Sequence, residues 1–201
     1  MILTLVSEST VEPVTVAEAK TFLRMESTDS TAEDTLIGQF ITVARRQAEN
    51  LTKRALVSQT RQVIFDNFSN TTQAIELPRP PLTTISSNIT ITYVEDTTAG
   101  NTTTIPATAY TVDSDSEPGR IYPSYNNEWP TDIRDQHKAV TIQYVSGYST
   151  AAIPLPILDW IKMRVTDLYE NRQGLVEQPV SRIPRNYLDG LLDEYTILSV
   201  P

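Results

Sequence analysis

Only one residue of the chain offers an imidazole base, His137, in the charged stretch TDIRDQHKAV. A lone histidine excludes two-histidine metal sites, and any Ser-His-Asp arrangement would have to use it. Its setting, a polar turn ahead of a β-branched run, predicts a solvated side chain rather than a base. The chain has no cysteine, which excludes thiolate nucleophiles, thiolate zinc sites and disulfides together. Asp113, Asp115 and Glu117 in VDSDSEPG resemble a calcium loop superficially. The glycine and the distal glutamate of that loop are not at the required spacing, and a polar turn explains the acids more simply. No glycine-rich phosphate loop and no Gly-x-Ser-x-Gly elbow occurs. The residues therefore predict no catalytic site, no metal and no cofactor.

Charge narrows the partners. The 201 residues carry 16 Lys and Arg against 25 Asp and Glu, a formal net charge of -9. Grip on a phosphate backbone comes from concentrated cations, so specific nucleic-acid binding is disfavoured. Asn-x-Ser/Thr triplets at Asn50, Asn67, Asn70, Asn88 and Asn101 are what a threonine-rich chain produces by chance. The opening MILTLVSEST lacks the basic flank and cleavage site of a signal peptide, and no run approaches the roughly 18 apolar residues of a membrane span. The expectation is a soluble protein made in the cytoplasm, with no membrane partner.

The elements that would position any site fall into three blocks. In PVTVAEAKTFLRM, Thr15 and Glu18 form a capping box and Val14 stands where a staple residue belongs. That predicts a short helix to about Arg24. After the turn STDSTAED, with Ser30 or Thr31 as cap, Leu36, Ile37, Phe40, Ile41, Ala44, Ala48 and Leu51 recur three and four apart. They mark a long amphipathic helix ending near Lys53. Seven short β-branched runs follow between Leu56 and Tyr148 (VSQTRQVIFDNF, AIELP, ISSNITITYVED, TTTI, YTVDSD, GRIYPS and AVTIQYVSGY) and predict an antiparallel sandwich or barrel. Helical spacing returns after STAAIPLPIL, with Pro156 in a first helical turn and a stripe of Ile157, Trp160, Ile161, Val165, Leu168 and Tyr169 up to Asn171. Gly174 marks a stop, and RNYLDGLLDEY predicts a last helix. The fold class read from this order is α+β: a bundle of residues 1–55 and 150–201 interrupted by an inserted all-β domain, 56–149.

Two segments admit two readings each. LPRPPL could be a polyproline II ligand or a rigid crossing between sheets. Its flanks Ile75, Leu77, Leu82 and Ile85 look core-facing, which favours the crossing. Tyr122, Tyr125 and Trp129 form either a candidate partner patch or local packing, whereas Trp160 on its helical stripe belongs to a core.

The ordered set PVTVAEAKTFLRM, DTLIGQFITVARRQAENLTKRAL, LPRPPL, GRIYPSYNNEWP, VTIQYVSGY and IPLPILDWIKMRVTDLYENR resembles the head-to-tail connector family of long-tailed phages, also called head-completion or adaptor proteins. The likeness covers nearly the whole chain and is least distinct past Gly174. It implies a helical bundle with a β-rich insertion, assembled as a ring of about twelve copies beneath the portal. The partners would be the portal protein, the next tailward connector or a tail terminator, and further copies of the chain. DNA would pass through without specific binding, and the protein would sit at the head–tail interface of the virion. In such a ring, charged helical residues (Arg45, Arg46, Arg54, Arg164, Arg172 and Glu170) are candidates for the subunit interface. The apolar C-terminal face of Tyr187, Leu188, Leu191, Leu192, Tyr195, Ile197 and Leu198 is the candidate for docking on the portal, or else closes its own bundle. The alternative class is a non-enzymatic carbohydrate- or protein-binding β module with helical flanks.

Overall fold

The structure, a computed structural model, describes residues 1–25, 33–68, 73–82, 89–171 and 188–198. It is an α+β fold with helices and two antiparallel sheets. The chain divides into two compact units, Met1–Ser9 with Ser58–Tyr148, and Thr10–Val57 with Ser149–Pro201.

The first unit is all β. Its strands are β1 (Ile2–Glu8), β2 (Gln59–Phe65), β3 (Ile75–Leu77), β4 (Thr90–Val94), β5 (Thr102–Ile105), β6 (Tyr110–Asp113), β7 (Gly119–Pro123) and β8 (Val140–Ser146). One sheet runs β1-β2-β8-β4-β5 and the other β3-β7-β6. Both stay open at their edges, so the unit is a two-sheet arrangement and not a closed barrel. Alternation decides which side chains turn inward. On β8, Val140, Ile142 and Tyr144 are buried, and on β4, Ile91 and Tyr93 are buried while Thr90 and Thr92 face out. They meet Leu77 and Ile121 of the smaller sheet in one core.

All seven expected strands are present, together with β1, which the sequence reading did not assign. β1 pairs antiparallel with β2 through a register shift between Leu5 and Ser7. Residues 2–8 thus join the β unit, whereas the sequence grouped residues 1–55 with the helices. The reason is physical: ILTLVSE is almost wholly exposed, so it carries no clean inward–outward alternation, and its partner lies beyond two intervening helices.

The proline segment fastens one sheet to the other. Leu77 ends β3 in the core, Tyr144 Oη donates to Pro78 O at 2.6 Å, Gly147 N donates to Pro81 O at 2.9 Å, and Leu82 bridges to Ser146 on β8. A carbonyl row engaged in this way is a crossing rather than a solvated ligand.

The second unit holds α1 (Val16–Phe22), α2 (Asp34–Thr52) and α3 (Leu155–Glu170). The capping box closes as expected: Glu18 N donates to Thr15 Oγ1 at 3.2 Å and Thr15 N donates to Glu18 Oε2 at 2.8 Å. The backbone of α2 stops at Lys53, in the left-handed region at φ 56°. The expected caps Ser30 and Thr31, and the stop Gly174, lie outside the described residues. Ile37, Ile41, Ala44 and Ala48 of α2 and Ile157, Trp160, Ile161 and Val165 of α3 are buried, each large one contributing about 1.5–3 kcal/mol. The expected last helix is helical at 188–189, turns at Gly190, and continues only as a single 3-10 turn, Asp193–Tyr195. Glycine in mid-helix costs about 1 kcal/mol, which suits a break at that position.

Candidate assembly surfaces

The groups that could do chemistry are dispersed. His137 is two-thirds exposed and its Nδ1 lies 2.8 Å from Asp66 Oδ1. Asp66 also accepts from Lys138 N at 2.8 Å, and this backbone bond holds its carboxyl below the ordinary carboxylate range, with His137 adding to the effect. Asp113 closes a turn on itself, accepting from Ser116 Oγ at 2.6 Å and from the amides of Ser116 and Asp115 at 3.1 Å. The Ser116 hydroxyl and amide, in that order, lower its pKa. Among the described residues no three His, Asp or Glu side chains converge as metal ligands.

The charged helical residues divide into interior and surface. Arg45 is 1% exposed; its Nε donates to Glu12 Oε2 at 2.7 Å, its Nη2 to Glu12 Oε1 at 3.3 Å and its Nη1 to Glu49 Oε2 at 3.2 Å. Glu49 in turn accepts from Leu56 N at 2.9 Å, so the group ties α2 to the chain on both sides of it. Arg54 is likewise buried, its Nε donating to Tyr195 O at 2.6 Å. Arg164 lies across Gln47 at 2.7 Å and pairs with Asp167. Arg46 and Glu170 are exposed. Arg172 lies outside the described residues.

The C-terminal segment is partly enclosed. Leu192 is 2% exposed, Leu188, Leu191, Tyr195 and Ile197 are half-buried, and Leu198 is 86% exposed. Ile197 N donates to Thr52 O at 3.0 Å, adding a second tie to the end of α2 beside the Arg54 bond. Tyr187 lies outside the described residues.

The three aromatics of the β unit separate too. Trp129 is buried, its ring stacks on Phe68 with centroids 5.1 Å apart, and its Nε1 donates to Gln73 O at 2.9 Å. Tyr122 stands at the surface and Tyr125 is 93% exposed. Trp160 is core, as its helical position predicts.

Sequence reasoning passed over several outward residues. Leu51, read into the apolar stripe of α2, is 46% exposed, and Val43, just over two turns earlier, is 43% exposed. On α3, Leu155 is 71% exposed and Asp159 faces solvent. The available signal was the complement of the buried 3.6-residue stripe. An open groove of about 440 Å³ lies between α1 and α3, lined by Glu18, Thr21, Phe22, Arg24 and Lys162.

No protein-family model matches the chain, and no curated protein is similar to it by sequence. Solved structures are similar in fold. A chain of the neck of an empty gene transfer agent particle, computed with C6 symmetry, matches at TM-score 0.76 and 21% identity over 100% of this chain and 98% of that one. A chain of the native gene transfer agent virion matches at TM-score 0.74, and one from the native neck computed with C12 symmetry at 0.69, with 21% and 19% identity and the same coverage. Across its full length, this chain has the fold of chains that occur in the neck and virion of gene transfer agent particles.

Proposed function

We propose that the chain is a structural subunit of the neck of a phage-type particle: an adaptor that binds the portal, completes the head and joins it to the tail. Copies assemble into a ring, and DNA passes through its channel. The observation that carries this reading is the fold likeness to neck chains with both lengths matched almost completely. The dispersal of titratable groups and the self-closed hydrogen bonding of the acidic turn are compatible with a part whose work is geometric. Within this reading Leu198, at 86% exposure, is the described residue of the apolar C-terminal segment left to dock on the portal. Ring formation needs two different complementary surfaces per subunit, because only heterologous contacts close a cycle beyond two members.

The test is to mix the purified chain with its cognate portal and image the product. A ring of the chain stacked on the portal supports the reading, and portal particles that stay bare overturn it. Leu198→Asp should lower portal occupancy while leaving the unfolding midpoint unchanged.

A further inference from the structure

The edge of a β-sheet presents main-chain donors and acceptors that another strand can take up, and natural folds blunt it with charge, proline or brevity. The two sheets end in four edges, β1 and β5 on the larger and β3 and β6 on the smaller. β3 is three residues long, carries Glu76 paired with Arg120, and runs into Pro78. β6 ends at Asp113 and its acidic turn. β1 is different: it has seven residues, no proline and no charge before Glu8. Its Ile2, Leu5 and Val6 are 38%, 46% and 50% exposed. β5 is short but likewise without charge. Among the described residues each of these two strands is paired on one side only, β1 with β2 and β5 with β4.

The two edges fit one another in length, direction and face. The regular part of β1, residues 2–5, ends at the register shift and matches the four residues of β5. Every neighbouring pair in the five-stranded sheet is antiparallel, so its first and fifth strands run the same way. Rotation about an axis along the strands therefore brings β5 of one copy beside β1 of the next in parallel. Directly opposed residues share a face of the sheet. Leu3 and Leu5 lie opposite the buried Val63 and Arg61, on the core side, which leaves Ile2 and Thr4 outside. Thr103 and Ile105 lie opposite the buried Tyr93 and Ile91, which leaves Thr102 and Thr104 outside. In-phase pairing then sets Thr104 beside Thr4 on the outer face and Ile105 beside Leu5 on the core face, covering an apolar side chain that its own copy leaves exposed. Between the two edges the outward positions of β2, β8 and β4 are Thr, Gln, Ile and Val, so no like charge opposes a sheet continued from copy to copy.

We infer that the β units of successive copies join through their main chains, β5 of one copy adding to the β1 edge of the next, so that the five-stranded sheet runs on around the ring. Two unlike edges at opposite ends of one sheet are what head-to-tail association of identical subunits requires, whereas β1 against β1 would stop at a pair. The inference rests on the neck-subunit reading and deepens it by naming the contact between copies. It places that contact in the β unit and not on Arg45 and Arg54, which are buried within their own chain.

The chain contains no cysteine, so cross-linking through introduced thiols has no background. Thr4 and Thr104 are exposed, and within one copy they stand four strand spacings apart, about 19 Å. Thr4→Cys and Thr104→Cys would be made singly and together in the full chain, assembled on the cognate portal and treated with a bismaleimide shorter than that span. A ladder of multimers from the double variant, dimers from the mixed single variants and monomers from either single variant alone are expected. Leu5→Lys in the double variant sets a charge where Ile105 of the next copy would lie, and should abolish the ladder at unchanged circular dichroism. A ladder that survives Leu5→Lys, dimers from Thr4→Cys alone, or a ring on the portal whose copies do not cross-link overturns the edge pairing and leaves the neck reading standing. A portal that stays bare overturns the neck reading itself.

Discussion

At the scale of single residues, charge type was a poor guide to location. Arg45 and Arg54 look like surface cations in a sequence, yet both are buried because tertiary partners meet them: Glu12 and Glu49 for the first, the Tyr195 carbonyl for the second. One clue to Arg45 was legible. It follows Ile41 and precedes Glu49 by four positions each, at the edge of the buried stripe, where an i,i+4 ion pair is at home. Glu12, thirty-three positions upstream, could not be inferred from local pattern. Arg45→Ala leaves two carboxylates without their shared guanidinium in a largely enclosed site. The expected loss is about 3 kcal/mol, the low end for breaking a buried pair, because Glu12 keeps 24% side-chain exposure. Urea denaturation of the full chain measures it. Arg45→Lys should recover only part, since a point charge cannot reproduce bonds to both acids.

A second residue-scale prediction concerns pH. The Thr15 amide, then its hydroxyl, holds the Glu18 carboxyl below its ordinary pKa of 4.5. A carboxyl depressed in the folded state adds stability above its unfolded pKa and loses it as pH falls through the folded value. Thr15→Ala should cost about 1 kcal/mol at neutral pH, and the difference between wild type and Glu18→Gln should shrink as the pH drops below 4.5. A difference constant from pH 7 to pH 3 would remove the capping box as its cause.

Elements with periodicity strong enough to survive without their partners were legible. The capping box located α1, the 3.6-residue stripe located α2 and α3, and β-branched runs bounded by Gly, Pro and Asn located seven strands. What was illegible depended on long-range pairing. β1 is a strand because β2 offers it an edge, and its apolar residues Ile2, Leu3, Leu5 and Val6 do not alternate in a way that marks one face. The crossing between sheets lay in between: its leucines announced burial, but the fastening to β8 did not show. That crossing yields a paired prediction. Gly119 on β7 lies so close to Leu82 that an added Cβ would stand 2.2 Å from Leu82 Cδ1 and 2.5 Å from its Cγ. Leu82 is 6% exposed and bridged by its backbone, so it has little room to yield. Gly119→Ala should destabilise by about 1–3 kcal/mol. At Gly38 in α2, an added Cβ meets only Val16 Cγ2 at 3.9 Å, and Gly38→Ala should stabilise by about 0.5–1 kcal/mol through helix propensity. Thermal unfolding of both variants checks the pair, and equal effects would show that neither contact sets the sign.

At the scale of the whole molecule, the formal charge is -9, and among the described residues several of the cations are withdrawn from the surface. Lys20, Arg45, Arg54 and Arg61 are buried, and the first two are spent on Asp34 and on Glu12 with Glu49. Arg46 on α2 and Lys53 just past its end are two exposed cations, too few to make a tract able to follow a phosphate backbone. A binder that neutralises six to ten phosphates loses about 10³–10⁵ in affinity between 50 and 200 mM salt, and that signature depends on many cations acting together. This chain should show neither strong retention on duplex DNA at low salt nor a steep salt slope, which is the behaviour that the proposed DNA conduit requires, because a wall of like charge limits adhesion. Electrophoretic mobility of duplex DNA titrated with the purified chain at low ionic strength provides the measurement. Retention that weakens sharply with added salt would mean that cations gather into a continuous track, and the proposal of a passive conduit would then fall.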